Sequence, residues 1–413
     1  MFKKIILANG IPVVIETSKD TRSICIGIWV KVGSRHESAE KNGISHFLEH
    51  MFFKGTGKRT SKDIAVETDS LGGELNAFTS RENTTFYIKV LDEHIEKAVE
   101  LLTDIFLNSV FPEDEIEKEK GIISEELKSV QDSPEEYIHE LFNRDIWGES
   151  GLGRSVLGSE KSILTFTKQD LAGHIGNYYG AENIVIACSG NFEEEALIAN
   201  LNQRIWRLKT DSPLKNEVCP EFKCRTNVIY KKLSETHICL GLKGLPNGSD
   251  DRYTMHLLNT ILGGGVSSRL FQEVREKRGL AYSIYSFSLS YLDTGVWTVC
   301  AGTDKKNVNE VVSIIASQIR GLPDSLTDNE LRKAKDQLKG NLILALESTN
   351  SKMINIARQE IYYGKYFSPE DIINAVESVT LEEMKRLSKR LVENKPIAIT
   401  VYGPVKKLKA SLI

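Results

Sequence analysis

The chain has 413 residues, 40% apolar and 27% charged, with a formal net charge of −4 and a pI near 6.1. That composition excludes a disordered chain, predicts two to three domains at roughly 150 residues each, and lacks the basic domain or stripe that marks a general nucleic-acid binder. No apolar run reaches the ~18 residues of a membrane helix, and the N-terminus carries neither a secretory apolar core nor an Arg- and Ser-rich transit segment, so a cytoplasmic protein with no membrane and no nucleic-acid partner is expected.

In chain order, residues 5–16 read as a hairpin turning at Asn9-Gly10. A strand follows at 25–32, a helix at 43–54, a strand at 84–90, an amphipathic helix at 93–106 and a long charged helix at 113–130. The second half repeats that plan, with strands at 226–232 and 236–243 and a helix at 250–262. Strands at 282–289 and 295–303 flank a turn at Asp293, and helices occupy 308–320 and 327–346. Strands followed by helices in each half predict an α+β fold of two similar domains with helices packed on a sheet. The domains run over 1–208 and 225–413, joined by a polar, proline-containing linker at 209–224. The six cysteines are scattered rather than arranged as a disulfide framework. Cys219 and Cys224 read as loop cysteines, the alternative being half of a metal knuckle that has no second Cys or His pair nearby.

The informative segment is Gly43-Ile44-Ser45-His46-Phe47-Leu48-Glu49-His50-Met51-Phe52-Phe53. On a wheel of about 100° per residue, Ile44, Phe47, Leu48, Met51 and Phe52 cover one broad side, while His46, Glu49 and His50 fall together on the other, with Phe53 among them. A helix apolar nearly all round is a buried one, and burying two imidazoles and a carboxylate without partners is costly. Histidines at i and i+4 let two ring nitrogens converge on one ion. A Glu directly before the second His is placed to take the proton of a metal-activated water, and the order H-x-x-E-H is the inverted zinc-protease motif. The alternative for the same stripe is an amphipathic helix with a satisfied histidine pair.

A catalytic zinc takes a third protein ligand. In the 113–130 helix, Ile116, Ile122, Ile123, Leu127 and Val130 form one stripe, and of the charged residues only Glu119 and Glu126 fall inside it, two turns apart. Two carboxylates on a buried face call for a cation or for hydrogen-bond donors. The wheel alone does not order the pair. Glu126 is taken as the ligand and Glu119 as the carboxylate that orients a ligand or the water.

His46-Phe47-Leu48-Glu49-His50, followed by a distal Glu-Glu-Leu helix, resembles the M16 zinc peptidases, which include pitrilysin, insulin-degrading enzyme and the mitochondrial processing peptidase. The resemblance covers essentially the whole chain and is nearest to short bacterial members similar to the processing-peptidase β subunit. It places the third ligand about 76 residues beyond the second histidine, which from His50 is Glu126, and it matches Glu119 to the accessory carboxylate seven residues earlier. Gly72-Gly73-Glu74-Leu75-Asn76-Ala77-Phe78-Thr79 is similar to the family's active-site edge strand, which implies that Asn76 and Ala77 bind substrate as an added strand. By itself that segment reads as a turn entering a strand. Arg275 and Tyr282 match an Arg and a Tyr that help hold the scissile peptide; their plain reading is a helix Arg and a strand Tyr. The run at 262–270 resembles the family's glycine-rich loop and lacks the Gly-Lys-Ser/Thr of a phosphate loop.

Aligned on the first half, the second sets Met255-His256-Leu257-Leu258-Asn259-Thr260 against the motif, and Ala334 and Asn341 against Glu119 and Glu126. One histidine, His256, survives, but the base, the second histidine ligand and the distal Glu are missing, so His256 is expected to be a structural histidine and the second domain a non-catalytic copy. The resemblance implies two homologous domains of the LuxS/MPP-like type, each a mainly antiparallel sheet with packed helices, forming half of a clamshell. It implies a zinc endopeptidase with one Zn²⁺ per chain on His46, His50 and Glu126, Glu49 as base, peptides or unfolded segments as substrates in a closed chamber, and a homodimer. The alternative is a non-catalytic subunit of the processing-peptidase or respiratory core-protein kind; such chains usually lose part of the motif set that is complete here.

Overall fold

Among the described residues of this computed structural model (1–208, 214 and 218–409), the strands fall into two sheets. Half of the predicted linker, 209–213 and 215–217, lies outside the described residues, as does 410–413. The first sheet contains β1 (Phe2–Ile6), β2 (Pro12–Thr17), β3 (Ser23–Val30), β4 (Glu74–Thr79), β5 (Thr84–Leu91) and β6 (Ile184–Gly190), in the order β1-β2-β6-β3-β5-β4. The second contains β7 (Thr226–Tyr230), β8 (Thr236–Lys243), β9 (Ala281–Ser290), β10 (Gly295–Thr303) and β11 (Ala398–Gly403), in the order β7-β11-β8-β10-β9. Each sheet has one parallel pair, β2 with β6 and β7 with β11, and is otherwise antiparallel. The run β2-β6-β3-β5-β4 therefore corresponds strand for strand to β7-β11-β8-β10-β9, and the repeat expected from the sequence is present in the topology, with β1 an addition to the first copy.

The helices are α1 (Ile44–Phe52), α2 (Ser61–Ser70), α3 (Ile95–Asn108), α4 (Glu113–Asp132), α5 (Pro134–Trp147), α6 (Glu160–Ile163), α7 (Lys168–Tyr178), α8 (Glu194–Ile205), α9 (Arg252–Gly263), α10 (Val308–Ser325), α11 (Asp328–Ala345), α12 (Thr349–Tyr363), α13 (Pro369–Ser378) and α14 (Leu381–Val392). Several start where a Thr or Ser side chain caps the third helical amide and an acidic side chain reaches back, as at Thr60/Asp63, Thr167/Asp170 and Thr380/Glu383. The predicted 308–320 helix runs on to Ser325 with Pro323 in its last turns. Among the described residues no helix is long and apolar enough to cross a membrane.

The chain does not divide at a single cut. One compact unit holds Met1–Lys128, Arg154–Val218 and Ala345–Tyr366; the other holds Ser129–Gly153, Cys219–Leu344 and Phe367–Ile413. Helix α5, from the first half, belongs to the second unit, and α12, from the second half, belongs to the first. The cause is that each sheet has two apolar faces. Residues Leu141, Phe142 and Ile146 of α5 pack with Cys239, Val296 and Tyr402, and Met353, Ile356 and Ala357 of α12 pack with Val14, Trp29, Val185 and Ala187. With helices on both sides, β6 is buried along its whole length, as strands covered on two faces are.

Candidate metal centre and active site

Helix α1 begins at Gly43, whose φ of +94° puts it in the left-handed region that favours glycine. The exposed amides of its first turn are met by the buried Glu37 carboxylate, which accepts from Gly43 N at 2.6 Å, Ser45 N at 2.8 Å and Asn42 Nδ2 at 3.0 Å. Burial pushes the Glu37 carboxyl up, against those hydrogen bonds. From that anchor, Phe47, Leu48, Met51 and Phe52 enter the first core, and His46, Glu49 and His50 are carried toward α4.

His46 Nε2 lies 3.7 Å from Glu126 Oε1, and His50 Nε2 lies 3.6 Å from Glu126 Oε2. One donor atom from each of the three residues falls within 4.8 Å of the others. These separations exceed ordinary hydrogen-bond lengths. They are close to the ~3.4 Å between two ligands that hold one tetrahedral ion at ~2.0–2.1 Å. A divalent zinc-class ion fits the donor set: two imidazoles and one carboxylate, with Glu126 40% exposed on the open side and His46 9% exposed at the base.

The next layer fixes the rings. His50 Nδ1 is 3.0 Å from Glu119 Oε2, leaving Nε2 for the ion. Glu119, 1% exposed, is paired on its other oxygen with Lys54 Nζ. Burial pushes the Glu119 carboxyl up, but the hydrogen bonds to His50 and Lys54 more than offset this and hold it below its ordinary value. Burial lowers His50, while Glu119, Glu126 and Glu49 together raise it above its ordinary value. Burial, aided by the neighbouring His50, pushes His46 down to about 3, so its ring is neutral and ready to ligate. Burial pushes the Glu49 carboxyl above its ordinary range; Thr79 and His50 oppose the rise and Glu126 adds to it. Although Thr79 stands beside Glu49, neither Thr79 Oγ1 nor Glu49 Oε2 has a hydrogen bond of ordinary geometry.

The structure thus brings together His46, Glu49, His50, Glu119 and Glu126. The predicted two-carboxylate buried stripe needs correction on α4. Ile116, Glu119 and Ile123 are buried, but Ile122 is 51% exposed and Glu126 is only half-buried. Asn76 and Ala77 lie on β4, an edge strand of its sheet, where the Ala77 amide donates to Asn76 Oδ1 at 2.8 Å. Thr79 ends that strand beside Glu49. Arg275, in a short π-helical turn (Phe271–Glu276), sets its guanidinium 4.8 Å from the ring centres of both Phe271 and Tyr282, a cation–π arrangement. Tyr282 is 78% exposed. His256, expected as a structural histidine, lies exposed on α9. Ala334 is buried at the seventh position of α11, as Glu119 is at the seventh of α4, and Asn341 is exposed. Cys219 and Cys224 are exposed and belong to neither group of potential metal ligands found among the described residues. Sequence reasoning missed Lys54 and Glu37. The available signals were a cation four residues beyond His50 and an acid shortly before the first helical amides.

Residues 12–160 match the insulinase family (peptidase family M16), and residues 165–338 match the peptidase M16 inactive domain. An uncharacterized zinc protease of Bacillus subtilis, YmxG, is 40% identical over 392 residues, covering 95% of this chain and 96% of that protein. An uncharacterized zinc protease of Streptomyces coelicolor is 35% identical, covering 98% of this chain and 90% of that one. In fold, the chain is similar to a crystal structure of a peptidase M16 inactive domain from Pseudomonas fluorescens, with a TM-score of 0.92, 21% identity and 99% of both chains covered. It is also similar to a protease from Helicobacter pylori, with a TM-score of 0.89, 23% identity, and 98% of this chain and 99% of that one covered. The chain belongs to peptidase family M16.

Proposed function

We propose that this chain is a zinc-dependent endopeptidase with one catalytic centre, in which His46, His50 and Glu126 hold the ion and Glu49 moves the proton. The observation that supports it most is the convergence of three ligand atoms, at separations too long for hydrogen bonds and suited to a shared ion, beside a carboxyl that burial has raised. Zinc bound there supplies Lewis acidity, which acidifies water and polarises a carbonyl. Glu49 accepts a proton from the attacking water and returns it to the leaving amine nitrogen as the C–N bond breaks. Glu119, ionised and paired with Lys54, holds the His50 ring by Nδ1. The peptide lies as an added strand along the β4 edge, where Asn76 and Ala77 offer polar main-chain and side-chain groups. The roles of Arg275 and Tyr282 in peptide binding, a closed chamber for peptides or unfolded segments and the pairing of two chains rest on the family resemblance.

The non-catalytic alternative leaves the complete set His46, Glu49, His50 and Glu126 without a purpose. Cleavage of a peptide panel with and without chelator tests the proposal. The zinc-loaded chain is expected to cut, and a chelator to stop it. Glu49→Gln is expected to keep its zinc and lose about 10²–10⁴-fold in kcat. A zinc-loaded Glu49→Gln chain that cut at the unaltered rate would remove Glu49 from the mechanism. A zinc-loaded unaltered chain that cut nothing would favour the non-catalytic alternative.

A further inference from the structure

The second unit holds a group of donors that the peptidase centre does not use. Cys239 on β8 and Cys300 on β10 are directly opposed across the ladder, with Sγ atoms 2.7 Å apart. Tyr285 on β9 opposes Cys300 from the other side. Directly opposed residues of antiparallel strands present their side chains on one face, so the three form a row across three strands. Helix α5 covers this face and brings His139 onto the row. His139 Nδ1 is 3.8 Å from Cys300 Sγ, and its Nε2 is 3.0 Å from Tyr285 Oη. One ring nitrogen of His139 and the two sulfurs lie within 4.8 Å of one another, and Cys239 and Cys300 are 0% and 3% exposed.

Two thiols and an imidazole are the ligand set of soft and borderline cations, zinc foremost. Two thiolates and one divalent cation sum to zero charge, so the filled site buries no net charge. The contact of Nε2 with Tyr285 fixes the ring and leaves Nδ1 toward the sulfurs, as outer partners of metal-bound histidines do. Bonds of ~2.3 Å to sulfur and ~2.0–2.1 Å to nitrogen would separate sulfur from nitrogen by about 3.6 Å and the two sulfurs by about 3.8 Å. His139 already stands at that distance, and the sulfurs reach it by parting about 1 Å through small side-chain rotations. A disulfide, at ~2.05 Å, would leave the approach of His139 without a part.

We propose that His139, Cys239 and Cys300 form a second metal site, for a zinc-class divalent cation, which fastens α5 to the sheet of the second unit. Binding releases the two thiol protons and makes two metal–sulfur bonds and one metal–nitrogen bond, with no oxidation.

The test is a Co²⁺ titration of the full chain, stripped with chelator and kept reduced, read by its electronic spectrum. Two equivalents should bind, one of them with a near-ultraviolet sulfur-to-cobalt band that the His/His/Glu centre cannot give. In a chain carrying His50→Ala and Glu126→Ala, one equivalent and the sulfur band should remain. Adding Cys239→Ser with Cys300→Ser should remove both, and His139→Asn should weaken metal binding at least tenfold, since losing merely an outer partner of a ligand usually costs about 10–100-fold. Because the buried cysteine variants can fail to fold, the unaltered chain supplies its own check: bound metal should protect two thiols from alkylation. Absence of the sulfur band in the folded, unaltered chain overturns the proposal. So does a thiol count two short of six in protein purified without reductant, which would mean that Cys239 and Cys300 are joined to each other. Neither result depends on whether the chain cleaves peptides.

Discussion

Lys54 lies one helical turn beyond His50, and its ammonium closes on the Glu119 oxygen that His50 leaves free. Taking that cation away leaves a carboxylate that is 1% exposed with only an imidazole for company, and breaking a buried pair from one side typically costs about 3–5 kcal/mol. Part of this is recovered if Glu119 takes up a proton, which weakens its grip on His50 Nδ1. Lys54→Met is therefore expected to weaken zinc binding by about 10–100-fold, the usual effect of losing an outer partner, with His46, His50 and Glu126 intact. Competition against a chelator of known affinity measures this, and a dissociation constant within twofold of the unaltered chain would show that Lys54 only balances charge. At this scale the sequence was legible where a polar group contradicted its helix face. His46, Glu49 and His50 stood out on an otherwise apolar helix, and Glu119 inside an apolar stripe. Glu126 was harder, because its side chain is 40% exposed and the wheel registers only the angle, which it shares with Glu119. Lys54, a cation four residues beyond His50, gave a signal that was passed over, since a lysine near a helix C-terminus ordinarily reads as a solvated partner of the helix dipole.

The catalytic helix is short, and its position depends on how it starts. A Cβ on Gly43 would lie 2.7 Å from both Leu157 O and Gly158 Cα, two backbone atoms that cannot swing away, and φ there is +94°. Gly43→Ala is expected to lose about 1–2 kcal/mol for the left-handed backbone alone and more for the clash. Relief of the clash shifts the first turn, where Glu37 grips Gly43 N and Ser45 N, and His46 follows Ser45 directly. The expected outcome is a lower urea midpoint together with a lower kcat on peptides; an alanine variant with both unchanged would mean that α1 is positioned by its apolar face alone. Most of the expected elements matched their sequence signals to within a few residues, and 236–243 and 295–303 matched at both ends, whereas β6, β11, α2, α5 to α8 and α12 to α14 were not expected. The misses have local causes. Helix α10 runs past the expected end at Arg320 because its Pro323 is tolerated in the closing turns. The meeting of Cys239 and Cys300 was invisible because cross-strand register links residues 61 apart, and no local pattern encodes it.

At the scale of the whole chain, the two copies share one topology, yet neither half of the sequence contains a whole unit. No element was expected at 134–147 or 349–363, and which sheet α5 and α12 each cover is decided by the geometry of their connections, which no helical wheel carries. Every residue assigned to hold the ion or move the proton, from His46 to Glu126, lies before residue 208, so a fragment of residues 1–208 holds the metal centre and its base. It lacks α12, however, and with it Met353, Ile356 and Ala357, each fully buried against Val14, Trp29, Val185 and Ala187. Truncating even one such side chain, as in Met353→Ala, typically costs about 2–5 kcal/mol, a large part of the stability of an ordinary domain. Losing the whole helix also uncovers one face of β2, β3 and β6. The fragment 1–208 is therefore expected to keep far-ultraviolet secondary structure while losing near-ultraviolet signal and binding a hydrophobic dye. The same fragment extended by a flexible linker and residues 345–366 should recover a cooperative unfolding transition and bind zinc. A bare 1–208 fragment that unfolded cooperatively and bound no dye would show that α12 only shields a unit already stable by itself, and that the exchange of helices contributes nothing to the fold of the catalytic half.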